Sequence, residues 1–199
     1  MTSPLRGVDV DALDPPAQVR FWASLLELPP ADDHAVALGP GSLRFVATEH
    51  PKSGKNRLHL DLASTSVEHQ AELVSRARRL GAHPVDIGQR DVAWVVLADP
   101  EGNEFCVLEP REEYRGRGPV AAVVIDALDP AAQARFWSQV TDLPITRSQA
   151  TVASLAQPGA YFVEFVRVPT AKDTANRVRL RVEGRTAAAD PEGNEISPA

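Results

Sequence analysis

The chain has 199 residues, 43% hydrophobic and 24% charged, with a formal net charge of −6. That acidic balance argues against nucleic acid as a partner, because phosphates demand a basic face, and no run of about 18 apolar residues offers a membrane span. One cysteine, Cys106, excludes an internal disulfide framework and fits a reducing cytoplasm, and the opening residues MTSPLRGVDV contain no apolar signal-peptide core.

In chain order, Leu5–Ala12 reads as a strand, and Asp14-Pro15-Pro16 supplies a helix cap followed by prolines in the first turn, where a missing N–H costs nothing. Phe21, Leu25 and Leu28 make one face of that helix apolar, and Pro29-Pro30 stops it. Strands follow at His34–Leu38 and Leu43–Thr48, around the turn residues Gly39-Pro40-Gly41, with room for one more short strand.

The same order then restarts. Arg57–Leu62 alternates strictly, with leucines on one face and Arg57, His59 and Asp61 on the other. Thr65-Ser66-Val67-Glu68 reads as a capping box, and the helix after it is expected to turn Val67, Ala71, Val74 and the Arg78 stem toward a core, with Leu73, Ala77 and Leu80. Gly81 ends it. Strands are expected at Val85–Ile87, Val92–Leu97 and Glu104–Leu108, the last entered through the turn Asp99-Pro100-Glu101-Gly102. Arg111–Pro119 is charged, contains glycine and lacks an apolar face, so it reads as a linker.

Beyond it the chain repeats itself. DALDPPAQVRFWASLLELP at Asp11–Pro29 returns as DALDPAAQARFWSQVTDLP at Asp126–Pro144, and ADPEGNE occurs at Ala98–Glu104 and at Ala189–Glu195. Self-similarity on this scale marks a duplication. It divides the chain into residues 1–110, a linker at 111–119, and a second copy at 120–199. Copy two gives a strand at Val120–Ile125, a helix at Pro130–Asp142, strands near Thr151–Leu155 and Tyr161–Val168, and a strand at Asn176–Val182. From Asn56 to Ala98 is 42 residues, but from Asn176 to Ala189 only 13. The shortfall is expected to remove the second helix and the two strands after it.

Paired strand–helix–strand–strand–strand units, FW in the first helix, the NRLHLDL strand and the closing DPEGNEFCVLEP together resemble the vicinal-oxygen-chelate superfamily, in its glyoxalase-like branch. The superfamily also includes bleomycin-resistance proteins and extradiol dioxygenases. The resemblance implies an α+β fold of tandem βαβββ units whose sheets form half-open cups. In metal-dependent members the ligands stand on the first and last strands of each unit, where an ion can chelate neighbouring substrate oxygens.

Carried over by position, the resemblance puts His59 at a histidine ligand site and Cys106 where a glutamate usually stands. The other two positions fall near Gly7 or Asp9 and near Phe45, and neither is a standard match. Copy two has Arg179 in place of His59 and Ser197 in place of Cys106, with Glu164 alone at a carboxylate position. A cation is not expected there, because Arg179 would repel it. The expected functional cup is therefore built by residues 1–110.

More than one reading is open for each candidate. His59 and Cys106 are a metal pair completed by Asp61, Glu104 or a residue of the second copy, or a catalytic base and nucleophile, or the polar wall of an organic-ligand site with an inert buried cysteine. Trp94 stacks on a planar ligand or packs the cup. Arg57 clamps a substrate carboxylate, or it and Arg177 pair with local acids. Arg57, Asp61, Trp94 and Glu104 are the candidate substrate contacts. The leading expectation is a small-molecule-binding protein without a tightly held cofactor. A metal-dependent lyase, isomerase or dioxygenase, with a divalent ion on His59 and Cys106, and an antibiotic-sequestering protein are the alternatives. A strand left bare by the shortened last unit would favour a homodimer.

Overall fold

The protein is described from a computed structural model over residues 4–156, 159–184 and 188–199. Its first unit runs β1 (Leu5–Ala12), α1 (Pro15–Leu26), β2 (Pro30–Asp32), β3 (Ala35–Ala37) and β4 (Ser42–Ala47). The Asp14 side chain accepts from Ala17 N and opens α1, and Glu27, left-handed at φ 55°, closes it. The second unit is β5 (Leu58–Leu62), α2 (Val67–Arg79), β6 (His83–Pro84), β7 (Val95–Ala98) and β8 (Glu104–Val107). The third is β9 (Val120–Ala127), α3 (Pro130–Thr141), β10 (Ile145–Ser148), β11 (Val152–Leu155) and β12 (Phe162–Arg167). The fourth keeps β13 (Val178–Val182), β14 (Ala188–Ala189) and β15 (Glu195–Pro198). Of the two strands expected to be lost with its helix, one survives as the two-residue β14, which pairs with β15. No helix among the described residues is long and apolar enough to cross a membrane.

The units do not pair within their own copy. One sheet has the order β14-β15-β13-β1-β4-β3-β2, the other β10-β11-β12-β9-β5-β8-β7-β6. β1 lies antiparallel to β13, with Asp9 opposite Arg179, and β5 lies antiparallel to β9, with His59 opposite Val124. Each sheet thus takes one unit from each copy. The expectation that residues 1–110 close a cup by themselves is corrected: the cup holding His59 and Cys106 is completed by the third unit. Units two and three are consecutive, and consecutive elements tend to lie side by side. β13 sits between β1 and β15, so the bare strand edge expected to favour a homodimer is not at β13.

Alternation decides what each strand buries. Leu58, Leu60, Leu62, Phe105, Val123, Ile125, Val163 and Phe165 point to the helix side, and Val8, Val10, Leu43, Phe45, Val178 and Leu180 do so in the other sheet. All belong to one core. Trp22 sits in it, edge-on to Phe105 at 5.1 Å, with its indole N–H 3.4 Å from Asp99 Oδ2. Trp137 repeats the contact with Asp190. The two tryptophans are therefore structural, and so are the DPEGNE turns, where Asp99 Oδ1 accepts from the backbone of Glu101 and Asn103.

Helix α2 departs from expectation twice. Its cap is Ser66, which accepts from His69 N at 3.1 Å, while the Thr65 hydroxyl contacts His69 Nδ1. Only Leu73 and Ala77 are buried, whereas Val67 is 65% exposed and Ala71 and Arg78 face outward. The helix covers β8 with one narrow face; Val74 and Leu80 pack partly against the core at its flanks, while Val67 and Ala71 stay outside. The strand expected at Val85–Ile87 is not there; the structure has the two-residue β6 before it, at His83–Pro84.

Candidate functional site

On the face of the second sheet opposite the helices, β5 presents His59 and Asp61, β8 presents Cys106, β9 presents Ala122 and Val124, and β12 presents Phe162 and Glu164. The register brings Asp61 beside Cys106 on one side and Ala122 on the other. His59 and Glu164 flank Val124 from opposite sides. The ligand atoms of His59, Asp61 and Cys106 all lie within 4.8 Å of one another.

Their mutual geometry is informative. His59 Nε2 is 3.3 Å from Asp61 Oδ1, yet that oxygen is buried and has no hydrogen-bond partner. The two groups are close without being aligned on each other, as side chains aimed at a common third point are. Glu164 is buried, and its Oε1 accepts from Ser154 Oγ at 3.2 Å. Burial, and next the Asp61 charge, push its carboxyl above the ordinary carboxylate range. The Cys106 thiol is pushed up in the same way, by burial first and then by Asp61. The cup is thus rich in acidic side chains, and among the described residues neither Asp61 nor Glu164 has a lysine or arginine ion-pair partner.

The segment expected to be a plain linker is a wall of this cup. Residues Glu112–Tyr114 form a 3-10 turn, and Tyr114, 5% exposed, packs edge-on against Phe162 at 5.8 Å. The Arg111 guanidinium lies over both Trp94 (5.7 Å) and Tyr114 (5.8 Å), and that of Arg117 over Phe162 at 3.9 Å. Arg111 is steered by Glu109, 2.6 Å from its Nε. Tyr114 also lines a cavity of about 640 Å³ between α1, α2 and this segment, together with Leu26, His69, Leu73 and Arg76. Its ring is a wall shared by the cavity and the cup.

Of the residues singled out from sequence, His59, Asp61 and Cys106 converge and Trp94 stands at the rim. Glu104 and Arg57 do not join them. Glu104 accepts from Lys52 Nζ at 2.8 Å and from Asn56 N at 3.2 Å, which pins the loop before β5. Arg57 donates to Asp126 O at 2.7 Å and Thr170 O at 3.0 Å, and approaches Glu192 at 3.4 Å. Glu164, expected to stand alone in copy two, faces this cup because its unit pairs with β5. Tyr114 and Phe162 were missed altogether. Alternation along FVEFVR signals the face of Glu164, but nothing local names the sheet it joins.

The corresponding face of the first sheet is filled differently. Arg179 donates to both oxygens of Asp11, at 2.9 and 2.5 Å, and to Ser197 Oγ at 3.1 Å. Phe45, near which a carboxylate position was expected, is in the core, and β4 offers Arg44 to the cup instead.

Comparison with known proteins agrees with this architecture. The glyoxalase-like domain family matches residues 7–108 and 122–192. The chain belongs to that family. Its fold is that of the vicinal-oxygen-chelate superfamily. Glyoxalase I from Zea mays superposes on this glyoxalase-like chain with a TM-score of 0.66 at 11% identity, covering 99% of this chain and 92% of that one. A putative dioxygenase from Bacillus subtilis subsp. subtilis gives 0.58 at 12% identity, covering 96% and 72%. A search of curated proteins gives no match. At these identities the likeness establishes the fold, and function rests on the site itself.

Proposed function

We propose that this glyoxalase-like protein binds a small oxygen-bearing metabolite in the cup of the second sheet, beside a divalent cation held by His59, Asp61 and Cys106, with Glu164 facing them. The observation that carries this reading is Asp61 Oδ1, buried without a hydrogen-bond partner while His59 Nε2 lies 3.3 Å away. A buried unpaired acceptor is costly, and a cation relieves it. Imidazole, carboxylate and thiol together suit zinc, iron or nickel.

When bound, such an ion polarises substrate oxygens as a Lewis acid. The chain's own residues do the rest. Tyr114 and Phe162 exclude water and offer aromatic edges to a planar substrate. Arg111, held over Trp94 and Tyr114, keeps that wall in place. His59, Asp61 and Cys106 are carried by adjacent strands, a rigid base for a site. The unpaired Cys106 supports a reducing, cytoplasmic setting, and the overall negative charge supports a small-molecule partner over nucleic acid. Residues 1–110 and 120–199 are the two duplicated halves, joined by a segment that closes over the shared cup.

Elemental analysis of the purified full chain after incubation with Zn, Ni, Fe or Mn tests the reading. About one equivalent retained by the parent and lost in His59→Ala and in Asp61→Asn is expected, because ligand loss weakens binding steeply. Retention below about a tenth of an equivalent for every ion overturns it. That result would favour a second reading, a metal-free ligand cup. Its support is the same 3.3 Å approach, which a protonated His59 would turn into an ion pair with Asp61.

A further inference from the structure

The concave face of the first sheet has the opposite electrical character. β1 and β4 run parallel with Asp9 beside Arg44, and β13 brings Arg181 to the same place from the other side. Arg44 donates to Asp9 through Nε at 2.9 Å and Nη2 at 2.6 Å, and Arg181 Nη1 donates to the same carboxylate at 3.1 Å. One carboxylate, 1% exposed, therefore serves two guanidiniums. Arg179 does not change the balance, since Asp11 neutralises it.

Arg181 is 6% exposed and firmly placed, with Nη2 donating to Arg6 O at 2.8 Å and to Ser42 Oγ at 2.5 Å. Burial pulls its guanidinium below the ordinary arginine value, and the nearby Arg44 charge works in the same direction, against the pull of Asp9. A cavity of about 570 Å³ opens over this group, lined by Arg6, Arg44, Arg181, Ser42, Gly41 and Glu183 among others. At its rim Arg6 Nε donates to Glu183 at 2.7 Å, and both side chains are about half exposed. Two guanidiniums thus share one carboxylate at the floor of this concavity, and Arg6 pairs with Glu183 at its rim. Arg181 is buried and Arg44 is 38% exposed, so two guanidiniums on one buried carboxylate leave donor capacity open toward the cavity, and the guanidinium fork matches phosphate and carboxylate oxygens.

We propose that the cup of the first sheet is a second ligand site, which takes the phosphate or carboxylate group of a small anionic metabolite between Arg44 and Arg181. It shares no residue with the cation cup, so the two assignments stand or fall separately. Arg44 is the residue to test, because it is partly exposed and its loss leaves Asp9 paired with Arg181.

The experiment titrates the full chain with inorganic phosphate and, separately, with succinate, at ionic strength held constant with sodium chloride, and follows the unfolding midpoint. A saturable rise with at least one probe is expected, weakened about tenfold or more in Arg44→Gln, a change typical of losing one charged fork. Glu183→Gln removes a competing carboxylate and frees Arg6, so it should tighten binding several-fold. Response to phosphate alone assigns a phosphoryl group, response to succinate alone a carboxylate, and response to both a general oxyanion site. No saturable response to either probe up to about 20 mM, a weak limit for a single-anion site, overturns the proposal. So does a response equal in the parent and Arg44→Gln. If Arg44→Gln fails to fold, unchanged binding in Glu183→Gln overturns it instead.

Discussion

Arg177 of the second copy lies 2.7 Å from Glu101 of the first, with the two side chains 9% and 11% exposed. Glu101 also accepts from the backbone N–H groups of Leu13 and Asp14 at the entry to α1. The equivalent contact with the copies exchanged joins Arg57 to Glu192, which accepts from Leu128 and Asp129 at the entry to α3. These two staples tie the turn of each copy to the arginine of the other, and they identify the Arg57/Arg177 pair as architectural. Arg177→Ala should lower stability by about 3 kcal/mol, as expected when one partner of a mostly buried pair is removed. Urea unfolding measures this, and a loss under about 0.5 kcal/mol, typical of surface changes, would show that the staple is idle.

Tyr114 should matter for stability and for access. Tyr114→Ala is expected to cost about 3 kcal/mol, the range for truncating a buried aromatic. It should also speed the reaction of Cys106 with a thiol reagent. In the parent that reaction should be slow, because the thiol is buried and its pKa is raised by burial and by Asp61, which leaves little thiolate. Labelling of the native parent at the rate of the unfolded chain would contradict the closed cup.

Glu164 makes stability depend on pH in a definite direction. Its carboxyl is raised from the usual 4.5 by burial and then by Asp61, so the folded state holds this proton more tightly than the unfolded one. The contribution is full below the unfolded value and is lost as pH rises through the folded one. In protein stripped of metal by a chelator, Glu164→Gln should therefore be more stable than the parent at neutral pH, with the difference gone by about pH 4. Urea midpoints across that range check it. A less stable variant at neutral pH would mean that the charged carboxylate is supported by an anchor other than Ser154.

The two stripes of α2 should separate cleanly. Val67→Ser, at a position 65% exposed, is expected to change stability by less than about 0.5 kcal/mol. Leu73→Ala, at a position 5% exposed, should cost about 2–4 kcal/mol. Equal effects in thermal or urea unfolding would mean that the outward stripe is covered in solution.

Much of the local structure was legible from residue patterns. Asp14 and Asp129 cap α1 and α3 as their Asp-Pro pairs imply, and strict alternation puts His59 and Asp61 on the face opposite Leu58 and Leu60. α2 was harder to read, because its sequence carries two apolar stripes and only contact with β8 selects Leu73 and Ala77. Tyr114 was invisible for a related reason. One aromatic in a charged, glycine-containing segment makes no periodic signal, yet one side chain is enough to close a cup.

The sequence by itself determined the order of units, the duplication, the shortened last unit, and the presence of His59, Asp61 and Cys106 on strands whose polar faces alternate with leucine. Only the tertiary structure decided which units share a sheet, and with it that Glu164 joins His59 while Asp9 and Arg44 belong with Arg181. The reason is physical. A period of two fixes which face a side chain occupies, but a strand edge presents the same N–H and C=O groups to any partner. The choice of partner is made by contacts far apart in the chain, and Arg177 with Glu101 is one of them.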